Sequence, residues 1–91
     1  MQVRWSPEAA DDLARIVEHI RKDSATVARR VAKDIYDRAG ALRLFPNRGR
    51  EGRVEGTREL PLTPLPFIVV YRVLEQAVEI ANIIHGAQHW E

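Results

Sequence analysis

At 91 residues, 45 % hydrophobic and 30 % charged, the chain has the balance of one small globular domain, not of a disordered segment. It contains no cysteine, which excludes a disulfide framework and thiolate metal centres. Net charge is only +1, so overall electrostatics does not make it a nucleic-acid glue, and no apolar run approaches the roughly 20 residues of a spanning helix.

In chain order, "QVRW" alternates and predicts a short first strand over residues 2–5. Ser6 then offers an N-cap, Pro7 fits the first helical position, and Glu8, Asp11 and Asp12 suit the positive end of the helix dipole. Leu13, Ile16, Val17 and Ile20 recur at helical spacing, with Glu18, His19 and Lys22 off that stripe. "KDSAT" breaks the pattern. Asp23 or Ser24 caps a second helix running to about Leu44, with Val27, Val31, Ile35, Ala39 and Leu42 as its buried stripe. Two amphipathic helices joined by a tight turn make an antiparallel hairpin.

A Pro/Gly-punctuated loop, "FPNRGREGRVEGTREL", leads into a strand around residues 58–62. Pro61, Pro64 and Pro66 cannot donate to a ladder, so this strand is short or lies at an edge near its end. "PFIVVYRVL" is β-branched and aromatic throughout and is the clearest strand of the chain. "EQ" turns it into a last strand, "AVEIANIIH". The expected fold class is α+β, in the order β-α-α-β-β-β, with a small, mainly antiparallel four-stranded sheet and the helical hairpin on one face. In the third strand Phe67, Val69, Tyr71 and Val73 point one way, and Ile68, Val70, Arg72 and Leu74 the other. Both sets are largely apolar, whereas the helices cover one face. The set Ile68, Val70, Arg72 and Leu74 is therefore expected to remain open as a partner surface.

Charge is distributed unevenly. Residues 1–45 carry nine basic and seven acidic side chains, whereas beyond Pro46 the only basic side chains besides histidine are Arg48, Arg50, Arg53, Arg58 and Arg72. Arginine is the planar, bidentate cation suited to carboxylate or phosphate. Pairing with Glu51, Glu55 and Glu59 would equally account for these arginines as a solvated loop.

"WSPEAADDLARIVEHI", "GREGRVEGTREL", "PFIVVYRV" and "IIHGAQHW" together resemble the RelE/ParE superfamily of bacterial toxins over essentially the whole chain. The resemblance implies the toxin half of a type II toxin–antitoxin module and the fold order given above. It also implies one of two activities. RelE-like members cut messenger RNA on the ribosome; ParE-like members bind DNA gyrase and block its cycle without a catalytic step of their own.

Metal-free RNA cleavage requires a base for the 2′-hydroxyl, an acid for the 5′-oxygen and cations around the phosphorane. A ribonuclease reading would draw these from Arg58, Arg72, His85 and His89. In the RelE-like pattern a tyrosine follows the final strand, and Trp90 stands at its place. Indole has one donor and no titratable proton near neutral pH. Gly86 and Ala87 also replace the basic residue after the first histidine. The residues thus favour the ParE-like branch, with no catalytic residues and neither metal nor cofactor: three histidines without cysteine form no ligand spacing of a known kind. Expected target contacts are Arg48, Arg50, Arg53, Arg58 and Trp90, because Arg and Trp dominate interface energetics. The implied partners are a ParD-like antitoxin, bound at Ile68, Val70, Arg72 and Leu74 and most simply in a two-to-two assembly, and DNA gyrase. Nucleic acid enters indirectly or through the antitoxin, and no membrane is involved. No signal-peptide pattern opens the chain, so a cytoplasmic location is expected.

Overall fold

The computed structural model describes residues 1–86. Its elements are strand β1 (Gln2–Trp5), helices α1 (Pro7–Arg21) and α2 (Ala25–Gly40), and strands β2 (Arg50–Glu51), β3 (Arg58–Pro61), β4 (Phe67–Val73) and β5 (Ala77–His85). The strands form one five-stranded sheet in the order β1-β5-β4-β3-β2. β1 runs parallel to β5, and every other pair is antiparallel. The additional strand, β2, is two residues long and lies inside the arginine-rich loop, too short to produce an alternation in the sequence.

Both helix starts follow from their caps. Ser6 Oγ accepts from the Ala9 N–H at 3.0 Å and donates to the Ala81 carbonyl at 2.9 Å, so one side chain ties the start of α1 to β5. Ser24, not Asp23, caps α2 by accepting from the Val27 N–H at 3.2 Å. α2 stops at Gly40 and tightens into a 3-10 turn, Ala41–Arg43, short of the expected end at Leu44. Pro46 disfavours helical backbone at Phe45, so the chain leaves the helix before that point.

The core joins Ala9, Val31, Ile35, Ala39 and Leu42 of the helical layer to Val69, Tyr71, Val78, Ile80 and Ile83 of the sheet. Val27, expected in the buried stripe, is exposed, and Ala28 is buried in its stead. Arg38 of α2 donates to the Leu62 and Thr63 carbonyls at 2.9 and 3.2 Å, fixing the helix to the β3–β4 connection.

β5 carries a bulge. Val70 pairs with Asn82 but Tyr71 pairs with Ile80, leaving Ala81 as the extra residue. Beyond it, β1 no longer covers the edge of β5. Asp12 of α1 replaces the missing ladder by accepting from the Ile83 N–H at 3.0 Å and the Asn82 amide at 3.1 Å.

The expectation of an open apolar far face is corrected by the burial pattern. Ile68 is 8 % exposed and Val70 only 3 %. Val70 lies between Glu59 and Asn82, and Ile68 between Pro61 and Ile84, so neighbours from both flanking strands shield them. Only Arg72 and Leu74, toward the end of β4, remain accessible.

Candidate functional site

The arginine-rich loop is organised around two buried side chains of the sheet. On β3, Glu59 is almost fully buried; it accepts from Arg50 Nη2 at 3.2 Å and from the Arg53 backbone N–H at 3.1 Å. On β4, the Tyr71 hydroxyl donates to the Pro46 carbonyl and accepts from the Gly49 N–H, both at 2.8 Å. Burial pushes the Tyr71 phenol above its ordinary pKa, an effect partly offset by the Gly49 hydrogen bond and by the charges of Arg58 and Arg48. It is therefore a neutral hydroxyl making two hydrogen bonds at physiological pH. Gly49 allows this approach, since a Cβ there would lie 2.6 Å from the hydroxyl.

Arg58 completes the clamp. It pairs with Tyr71 across the sheet, and its Nη1 donates to the Gly49 carbonyl at 2.6 Å and more distantly to Asn47. Arg58 is thus a positioning residue for the loop. Arg50 is engaged with Glu59. Arg48 lies over the Phe45 ring, 4.8 Å from its centroid. Arg53 forms no ion pair among the described residues. Of the three glutamates available to the loop, only Glu59 pairs with an arginine there.

Among the described residues, Arg58, Arg72 and His85, named above for RNA cleavage, do not come together. Arg58 shares the helix-side face with Tyr71, whereas Arg72 projects from the opposite face toward Glu79, at 3.7 Å. His85 pairs with Phe67 and meets its ring edge-on, with centroids 5.7 Å apart. Phe67 and Tyr71 are separated by roughly 13 Å along β4 at about 3.3 Å per residue. These cations and this imidazole therefore occupy two faces and two ends of one sheet. His89 and Trp90 lie outside the described residues. No group of three or more His, Asp or Glu side chains with metal-site geometry occurs among the described residues. No helix among them is long and apolar enough to cross a membrane.

Two exposed features escape the sequence patterns. The first is a groove of about 520 Å³ bounded by Val3, Trp5, Tyr36, Gly40, Arg43 and Leu44. Its wall is a stacked pair, Trp5 and Tyr36, with centroids 5.9 Å apart and an interplanar angle of 12°. A neighbouring hollow continues from this pair to Leu13 and Val17 of α1. Tyr36 is 60 % exposed and lies off the buried stripe of α2, which is the signal that marks it in the sequence. The second feature is the adjoining Leu44 and Phe45, consecutive apolar residues inside a Pro/Gly loop, 59 % and 52 % exposed.

The family description "ParE toxin of type II toxin-antitoxin system, parDE" matches residues 3–90. The chain belongs to this toxin family. It is 38 % identical over 89 residues to "Putative toxin Y4kP" of Sinorhizobium fredii (strain NBRC 101917 / NGR234), covering 98 % of this chain and 92 % of that one. Among solved structures it is similar to "Chromosomal ParDE TA system from P. aeruginosa", with a TM-score of 0.86 and 30 % identity over 93 % of this chain and 95 % of the other. The protein is the toxin of a type II toxin–antitoxin pair, and its partner is an antitoxin.

Proposed function

We propose that this ParE-family toxin arrests growth by binding DNA gyrase and blocking its cycle, with no catalytic step of its own. The observation that carries the reading is the dispersal of Arg58, Arg72 and His85. Phosphoryl chemistry on RNA needs acid, base and cations within hydrogen-bonding reach of one phosphate. Arg58 donates to loop carbonyls instead, and Arg72 faces Glu79 on the other side of the sheet. A loop held in a fixed shape by buried groups suits recognition, since little conformational entropy is lost on binding. Within this reading Arg48 and Arg53 offer their guanidinium groups to the target, Arg50 does so while engaged with Glu59, and Arg58 acts by positioning the loop. Trp90, outside the described residues, remains a candidate aromatic anchor.

A ParD-like antitoxin, in a two-to-two complex, neutralises the toxin in the same proposal. With Ile68 and Val70 already buried, the apolar contact shifts to the groove beside Trp5 and Tyr36, continuing along Leu13 and Val17. The apolar face of an amphipathic antitoxin helix fits such a groove. Leu74 and Arg72 supply a further exposed rim. Purified toxin added to a gyrase supercoiling reaction tests the target. Inhibition relieved by the antitoxin is expected. Unimpaired supercoiling together with codon-specific mRNA cuts on ribosomes would replace this reading with the ribonuclease one.

A further inference from the structure

Resting on the reading of this toxin as a binder of a protein target, we propose that Leu44, Phe45 and Arg48 form its target-contact knob. The chemistry they recognise is a protein cleft that is apolar at its centre and bordered by carboxylates. Leu44 and Phe45 expose more than half of their surface at adjacent positions, more than Val73 and Leu74, the other exposed apolar pair among the described residues. Their backbone is not loose. The Leu44 and Phe45 N–H groups both donate to the Ala41 carbonyl, at 3.0 and 3.3 Å, and the Arg48 N–H donates to Phe45 at 3.1 Å. The Tyr71 hydroxyl holds the adjoining Pro46 and Gly49, and Arg58 holds the Gly49 carbonyl. Apolar side chains are thus presented on a backbone whose ordering is already complete, which lowers the entropic cost of association.

Charge selects the partner. From Arg38 to Arg50 no acidic residue occurs; of the four arginines there, Arg38 is held by the Leu62 and Thr63 carbonyls and Arg50 by Glu59, which leaves Arg43 and Arg48 as the exposed charges not so held. Arg48 over the Phe45 ring makes an aromatic–guanidinium pair, and both residue types are enriched at protein interfaces relative to the rest of the surface. Leu44 favours a protein over a nucleic acid, because a branched aliphatic chain gains nothing against phosphates and little against base edges. The net charge of +1 gives no general attraction to a polyanion. Leu44 also lines the groove shared with Trp5 and Tyr36, so an antitoxin seated there would overlap the edge of the knob.

The test compares wild-type toxin with Phe45→Ala, Leu44→Ser and Arg48→Glu, with Val54→Ala as a control at another exposed apolar position. Inhibition of purified gyrase and growth arrest on induced expression are read separately, together with melting temperature and antitoxin binding. The knob variants are expected to melt as wild type, and to lose roughly tenfold or more in inhibitory potency and in growth arrest while Val54→Ala does not. Equal potency of all variants in both assays would overturn the knob. Should wild type leave gyrase untouched, the gyrase reading fails, and growth arrest alone decides the knob: loss in the variants retains it with another protein target, and retention overturns it. Salt-dependent binding of wild type to duplex DNA alone, lost in Arg48→Glu, would overturn the assignment of a protein partner.

Discussion

Replacing Tyr71 with Phe removes one oxygen from a position with no exposed surface and leaves the ring packing intact. Two bonds vanish with it, those to the Pro46 carbonyl and from the Gly49 N–H. The half-buried Pro46 carbonyl can take water, but Gly49 is buried, and its N–H would be left without an acceptor. An unsatisfied buried donor costs about 1–3 kcal/mol. A domain of this size loses roughly 4–8 °C of melting temperature per kcal/mol, so a cost near 2 kcal/mol corresponds to about 8–16 °C. Thermal unfolding by circular dichroism reads this directly. The pH dependence gives a second readout. Burial raises the phenol's pKa in the folded state, so its contribution to stability is complete below the ordinary value of 10.0 and is lost as pH rises through the raised value. Wild type is expected to lose stability in that alkaline window, and Tyr71→Phe to lack this component. A Tyr71→Phe protein melting within about 2 °C of wild type would refute the role given to the clamp.

Asp12→Ala should cost about 1–2 kcal/mol in urea denaturation and speed amide exchange selectively at Ile83, whose N–H then loses its acceptor. Gly49→Ala should destabilise at least as much as Tyr71→Phe, and combining the two should not restore stability, because the added Cβ also lies 2.9 Å from the Glu59 carbonyl. His85→Ala should leave growth arrest intact; abolished toxicity in a protein that still melts as wild type would move the assignment toward chemistry at that histidine. Tyr36→Glu should weaken antitoxin binding measured by calorimetry while sparing gyrase inhibition, and unchanged affinity would place the antitoxin elsewhere.

The helical hairpin and the two long strands were legible because each carries a strong periodicity or cap. Ser6-Pro7 announces α1, and the β-branched run of β4 announces a central strand. What escaped was set by pairings between distant segments. β2 exists only because Arg50 and Glu51 meet Glu59 and Arg58 across the loop. The burial of Ile68 and Val70 depends on Pro61, Glu59, Asn82 and Ile84 lying beside them, which alternation within one strand does not encode. In the sequence Arg58 fits a target, a phosphate or a neighbouring glutamate equally; its engagement with Gly49 depends on Tyr71 drawing that loop against the sheet. Tyr36 lies off the buried stripe of α2, and only the fold places it and Leu44 on the surface beside Trp5.

In the proposed mode of action this toxin works by occupying its target. Gyrase supercoiling and ribosome-dependent mRNA cleavage, assayed side by side with the same purified toxin, test it most directly. Loss of supercoiling that the antitoxin restores is expected, with messenger RNA left intact. Messenger RNA cut at defined codons while supercoiling proceeds unimpaired would contradict it.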